Sequence, residues 1–241
     1  MKKSWYWFIG ILAVIAAAVL LWSAASRKAS QSTPSAQDSG QMNHADMNHQ
    51  AMDQGAPGGP DDTDLAGYLE EQDAIMDRMT QEMAAIEHFG NASADFLSGM
   101  IPHHEAAVAM AESYLEHGGS HKVLAPLAEE IIAAQTDEIK RMKTMVEELK
   151  ASGAADAEQA QAYLDDAARR MDHSMAHSTA GSLNAAFAEG MILHHQMAVD
   201  MAGAILPHTE DAGVKKLAEA MSEAQEQEIG RMQAVLDAAA S

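Results

Sequence analysis

Two stretches of this chain are near copies of each other, FLSGMIPHHEAAVAMA at 96–111 and FAEGMILHHQMAVDMA at 187–202. They align without a gap at an offset of 91 and share Phe, Gly-Met-Ile, His-His, Ala-Val and Met-Ala. A second likeness follows at an offset of 90, AAQTDEIKRM at 133–142 with EAQEQEIGRM at 223–232. A weaker one precedes, YLEEQDAIMD at 68–77 with YLDDAARRMD at 163–172. Repetition on this scale constrains the fold strongly, because each unit must bury its apolar face against a neighbouring unit.

From Asp64 onward Ala, Leu, Met, Glu and Gln dominate, and Gly and Pro gather at breaks. That pattern predicts helices near 64–88, 93–117, 122–151, 156–178, 182–206 and 211–239, with Ser93, Ser120 and Ser182 as N-caps. Each strong repeat, about 93–150 and 183–239, is then a helical hairpin. Two such hairpins make four amphipathic helices, whose natural solution is an all-α four-helix bundle with a pseudo-two-fold axis. The helices at 64–88 and 156–178 are read as two extra elements. Pro102 falls inside its helix, where it removes a backbone donor and predicts a kink. The second copy has Leu193 there.

The N-terminal region reads differently. Lys2 and Lys3 precede WYWFIGILAVIAAAVLLW at 5–22, which carries no charge. A basic start followed by such a stretch marks residues 1–28 as a signal peptide or membrane anchor. As a helix, 5–22 rises roughly 27 Å, close to the thickness of a bilayer core. If uncleaved, it is the membrane attachment. Residues 29–63 are rich in Ser, Gln, Asp, Gly and Pro with no apolar period, and read as a disordered tether. Residues 64–241 form the helical bundle domain. Export is expected, to the periplasm or the extracytoplasmic face of the membrane. The chain has no Cys, so a packed core must stabilise it without disulfides. Beyond residue 30, 11 basic residues face 36 acidic ones. That balance excludes a nucleic-acid partner, whose phosphates need Lys and Arg, and suits a protein that attracts cations.

The repeated motif carries the chemistry. At the helical turn angle His103 and Met110 lie within roughly 20° of each other, and His104 sits on the far side of Met100 from that ridge. Met191, His194, His195 and Met201 repeat the arrangement. On the second helix of each hairpin, Gln135 and Glu138, and likewise Gln225 and Glu228, share one face and stand ready to orient ligands. A four-helix bundle first brings to mind a di-iron carboxylate centre, which needs Glu three residues before His. From the first helix onward no His has one; at the repeated sites Met100 and Met191 hold that place. Replacing carboxylate by thioether exchanges a hard donor for a soft one. Met with His selects copper, Cu(I) above all, while imidazole alone also accepts Zn(II) or Cu(II). MDHSMAH at 171–177 adds Met171, His173, Met175 and His177, and MNHADMNHQAM in the tether adds Met42, His44, Met47, His49 and Met52. Met142, Met145, Met221 and Met232 read as core filling, and His88, His117, His121 and His208, near helix ends, as surface residues.

GMIPHHEAAVAMA followed by AAQTDEIKRM resembles the secreted bacterial family labelled domain of unknown function 305. The likeness covers about 93–150 and 183–239. It implies a ferritin-like four-helix bundle and export, and some members are periplasmic copper-binding proteins linked to copper resistance. By this resemblance His103, His104, His194 and His195 occupy the His-His positions of the family. The expectation is therefore an exported copper buffer or carrier, not an enzyme. Its partners are the metal ion and envelope proteins that export or accept copper. A metal-dependent redox enzyme on the same bundle, or a structural bundle whose histidines serve packing, are the alternatives.

Overall fold

A computed structural model of the chain describes residues 62–170 and 180–241. Residues 1–28, the tether through residue 61 with Met42, His44, Met47, His49 and Met52, and the segment with Met171, His173, Met175 and His177 lie outside the described residues. Among the described residues there are six helices and no strand: α1 Asp62–Ala84, α2 Ala92–Glu116, α3 Leu124–Ser152, α4 Ala157–Arg170, α5 Leu183–Ile205 and α6 Ala212–Ala239. A short 3-10 turn, Leu206–His208, joins α5 to α6. None of these helices is long and apolar enough to cross a membrane.

α2 packs along α3, and α5 along α6, so each strong repeat is a hairpin. α3 buries Leu124, Leu127, Ala128, Ile131, Gln135, Met142 and Val146. That is one face of a helix at three- and four-residue spacing. α6 buries Val214, Leu217, Ala218, Met221, Gln225 and Met232 at matching positions.

The halves meet through α2 and α5. Gly99 lies against Met201, His103 against His194, and Gly190 against Met110. As the number rises on one helix it falls on the other, so the pair runs antiparallel. At one end the Tyr114 ring stacks on Phe187 at 4.2 Å, and its hydroxyl donates to Asn184 Oδ1 at 2.7 Å. An ion pair between Arg231 of α6 and Glu130 of α3 ties the hairpins together on the outside.

The two helices beyond the hairpins are α1 and α4. α1 packs on α2 of its own half and on α5 of the other, while α4 packs on α5 of its own half and on α2 of the other. Both present a buried tyrosine, Tyr68 and Tyr163, from the weakest of the three sequence likenesses. The repeating unit is thus three helices, α1–α3 and α4–α6, about one pseudo-two-fold axis.

Three expectations about helix ends are corrected. α1 stops at Ala84, short of residue 88, because the chain beyond is captured by other partners. The Phe89 N–H donates to Asp95 Oδ1 at 2.7 Å, Gly90 turns with φ +64°, and the Gly90 carbonyl accepts from the Asp156 N–H at 2.8 Å. Asn91, not Ser93, caps α2, accepting from the Ala94 N–H at 3.0 Å. Ser93 is the second residue of the helix and is buried, 2.6 Å from the Thr209 hydroxyl. At α3 the exposed Ser120 is passed over; His121 Nδ1 accepts from the Val123 and Leu124 N–H groups at 3.3 and 3.4 Å. Ser182 does cap α5, accepting from Ala185.

Candidate metal centre

α2 continues through Pro102 and brings two histidines to the axis. Consecutive helical residues point about 100° apart, so His103 and His104 face different neighbours. His103 faces α5 and His104 faces α3. His194 and His195 do the same from the other half. His103, His104 and His195 are fully buried and His194 is 1 % exposed.

The two outward-turned rings are held by carboxylates. His104 Nε2 lies 2.9 Å from Glu138 Oε2, and His195 Nε2 lies 2.7 Å from Glu228 Oε2. An ionised carboxylate only accepts, so Nε2 donates in both pairs. In the neutral ring Nδ1 then keeps a bare lone pair, and neither His104 Nδ1 nor His195 Nδ1 has a hydrogen-bond partner.

The two inward rings meet across the axis. The centroids of His103 and His194 are 3.8 Å apart, with 41° between ring planes. Neither nitrogen of either ring has a hydrogen-bond partner. Burial, reinforced by the neighbouring histidines and opposed only in part by the His103 backbone beside His194, pushes both groups well below the ordinary histidine value of 6.5. They are neutral at neutral pH, the form in which imidazole binds a metal.

A buried polar atom without a partner costs about 1–3 kcal/mol. Most such side-chain atoms among the described residues belong to the repeated motif. Besides the histidine nitrogens they include both amide atoms of Gln135 and Oε1 of Gln225. These two buried glutamines lie one turn before Glu138 and Glu228, at equivalent places in the halves.

Thioethers surround this layer. Met100 and Met191, one turn before His103 and His194, are fully buried, and Met110 and Met201 are each 2 % exposed. The Met201 methyl lies 3.4 Å from where a side chain on Gly99 would begin, and the Met110 methyl holds the same relation to Gly190. The glycine of each Gly-Met-Ile triplet thus admits a methionine from the other half. The sequence signal for this was the glycine shared at the offset of 91, which carried no role by itself. Among the described residues no three His, Cys, Asp or Glu side chains converge on one point. The other histidines stand apart from this layer. His117 pairs with Glu71 at 3.2 Å, His208 approaches Asp166 at 3.8 Å and His88 approaches Asp95 at 4.0 Å.

The family model described as "Domain of unknown function (DUF305)" matches residues 17–146 and 93–236. No curated protein matches the chain. Three similar solved structures are forms of CopM. Its Ag-bound form obtained by soaking is 33 % identical, with 61 % of this chain and 96 % of that chain covered, at a TM-score of 0.47. For the Cu(I)-bound form the values are 34 %, 60 %, 95 % and 0.46. For the Cu(II)-bound form they are 31 %, 58 %, 93 % and 0.45. At these TM-scores the likeness bears no weight for the arrangement of the present site.

Proposed function

The chain belongs to the family described as domain of unknown function (DUF305), and we propose that it binds copper, Cu(I) before Cu(II) or Zn(II), as a buffer or carrier and not as an enzyme. One observation carries the reading. Two neutral imidazoles, His103 and His194, are buried at the axis with all four ring nitrogens unpartnered, so each ring keeps an unmet lone pair beside an unmet N–H. A helical bundle stabilised by packing alone has no use for such a pair, whereas a soft ion would satisfy it. Met100, Met110, Met191 and Met201 place thioethers around the pair, Met100 and Met191 at the position where a di-iron bundle would have carboxylate, and thioether favours Cu(I). Glu138 and Glu228 orient His104 and His195, and their charge offsets that of a bound cation.

The proposal includes the ferritin-like relation of the two hairpins and export to the periplasm through residues 1–28, cleaved or retained as an anchor. The Met and His residues of the tether and of 171–177 gather ions, which pass between this protein and the envelope proteins that export or accept copper.

The test is anaerobic Cu(I) titration of the full chain against a competing chelator, with Zn(II) as control. Cu(I) is expected to bind much more tightly than Zn(II), and His103→Ala with His194→Ala to weaken it. Equal or reversed preference, or wild-type Cu(I) binding by the double variant, overturns the reading.

A further inference from the structure

Each position of one half has a counterpart in the other, so the two copies of every core position can be compared. Some apolar core positions are kept, such as Leu127 with Leu217, but others have drifted between halves: Leu97 stands opposite Ala188, Leu124 opposite Val214, and Val146 opposite Leu236. Several methionines have drifted as well. Met221 corresponds to Ile131, Met145 to Val235 and Met197 to Ala106. That is the freedom expected of packing, since exchanges among apolar side chains of similar volume cost little. Three methionine pairs of the two hairpins have not drifted: Met100 with Met191, Met110 with Met201, and Met142 with Met232.

The structure sorts these six into two groups. Met100, Met142 and Met201 belong to one buried cluster, which also holds the drifted Met221, and Met110, Met191 and Met232 to the other, which also holds Met79 of α1. Each trio draws on both halves. Met142 stands one turn beyond Glu138 on α3, and the Glu138–His104 bond sets that turn against the stretch of α2 that carries Met100. From α5 the Met201 methyl comes to 3.4 Å from where a side chain on Gly99, the residue before Met100, would begin. Met232, Met191 and Met110 repeat this arrangement. All six side chains are at most 2 % exposed.

We infer that Met100, Met142 and Met201 form one all-thioether site for a soft monovalent cation, and Met110, Met191 and Met232 a second, on either side of the histidine layer. Neutral sulfur donors in a buried interior do not compensate a divalent charge, and they bind hard ions poorly. A monovalent d10 ion of the Cu(I) and Ag(I) class carries the smaller desolvation penalty and prefers sulfur. Met142 and Met232, assigned from sequence to core filling, become ligands. The inference rests on the soft-metal reading above but not on the histidines.

The probe is Ag(I), which undergoes no redox change, added as silver nitrate to the metal-free full chain labelled with 13C at the methionine methyls. The six methyl signals are expected to shift as two sets, with those of Met145 and Met221 unmoved. Native mass spectrometry is expected to show Met142→Leu with Met232→Leu losing two Ag(I) relative to wild type. Met145→Leu with Met221→Leu should lose none. The methyl shifts are expected to persist in His103→Ala with His194→Ala, which separates these sites from the imidazole layer. Unmoved Met142 and Met232 methyls in the wild type, or an unchanged Ag(I) count in Met142→Leu with Met232→Leu, overturn the inference, even where histidine 15N signals respond and the imidazole reading stands.

Discussion

A neutral imidazole buried without a hydrogen bond makes folding sensitive to protons. In the unfolded chain His103 and His194 titrate near the ordinary value of 6.5, while in the folded chain both lie well below it. As pH falls past about 6.5, the unfolded state takes up protons that the folded state refuses, and stability declines. Asp95 acts in the opposite sense, since burial raises its carboxyl above the ordinary 3.8 and the folded state protonates first there. Its window opens at lower pH. The urea midpoint of the metal-free protein is therefore expected to be highest above about pH 7 and to drop between pH 6.5 and 5.5; a flat profile contradicts the buried neutral pair. The carboxylates make a separate prediction. Glu138→Gln with Glu228→Gln keeps the side-chain shape but removes the charge that fixes His104 and His195, and should weaken Cu(I) binding by about 10–100-fold in chelator competition. Unchanged affinity would show that those two rings take no part. The residues of this layer could be named from sequence by their doubled spacing. That His103 would face His194 could not, because helical periodicity gives a direction around one axis and is silent on which helix lies there.

Helix ends carry the same two-fold relation as the site. Asn91 and Ser182, 91 apart, cap α2 and α5 through the N–H three residues on. His121 and Asp211, 90 apart, do so for α3 and α6, but unequally. Asp211 Oδ1 accepts from Val214 at 2.9 Å, whereas His121 Nδ1 reaches Leu124 only at 3.4 Å. A carboxylate is the better acceptor at a helix N-terminus and also complements its dipole. His121→Asp should therefore stabilise the protein by about 0.5–1 kcal/mol in urea denaturation, and a loss of stability would contradict the capping role. The turn between α2 and α3 predicts the opposite. A side chain on Gly119 would begin 2.5 Å from both the Tyr114 ring and its carbonyl oxygen. Gly119→Ala should cost about 1–3 kcal/mol, the range for overpacking, and a neutral result would mean that the turn yields easily. Helix positions were legible because breaks fall at Gly and Pro and because apolar spacing is regular. The caps at Asn91 and His121 were not, since Ser93 and Ser120 are good caps by type. Only the folded chain shows that Ser93 is needed at Thr209, and that Asn91 and His121 reach the helix starts first.

Across the whole molecule, the two halves complete one another. α2 buries its His and Met face against α5, and α1 and α4 each bridge both halves. A single half, residues 62–152, has no partner for that face. It is expected to form a homodimer in which a second α2 takes the place of α5, with Met110 meeting Gly99 of its copy as it meets Gly190 here. Light scattering checks this, and a stable folded monomer would refute it. The strong repeats were plain in the sequence. The place of α1 and α4 within the repeat was not, because only Tyr68 and Tyr163, with a few flanking residues, preserve the likeness and the helical exteriors have diverged. The axis between His103 and His194 has one more consequence, a rule of parity. A site away from the axis has a counterpart in the other half, so at saturation such sites hold a pair of ions. A site on the axis has none and is shared by both halves. The helical domain fills to an even number when only flanking positions are occupied, and to an odd number when the axis itself is.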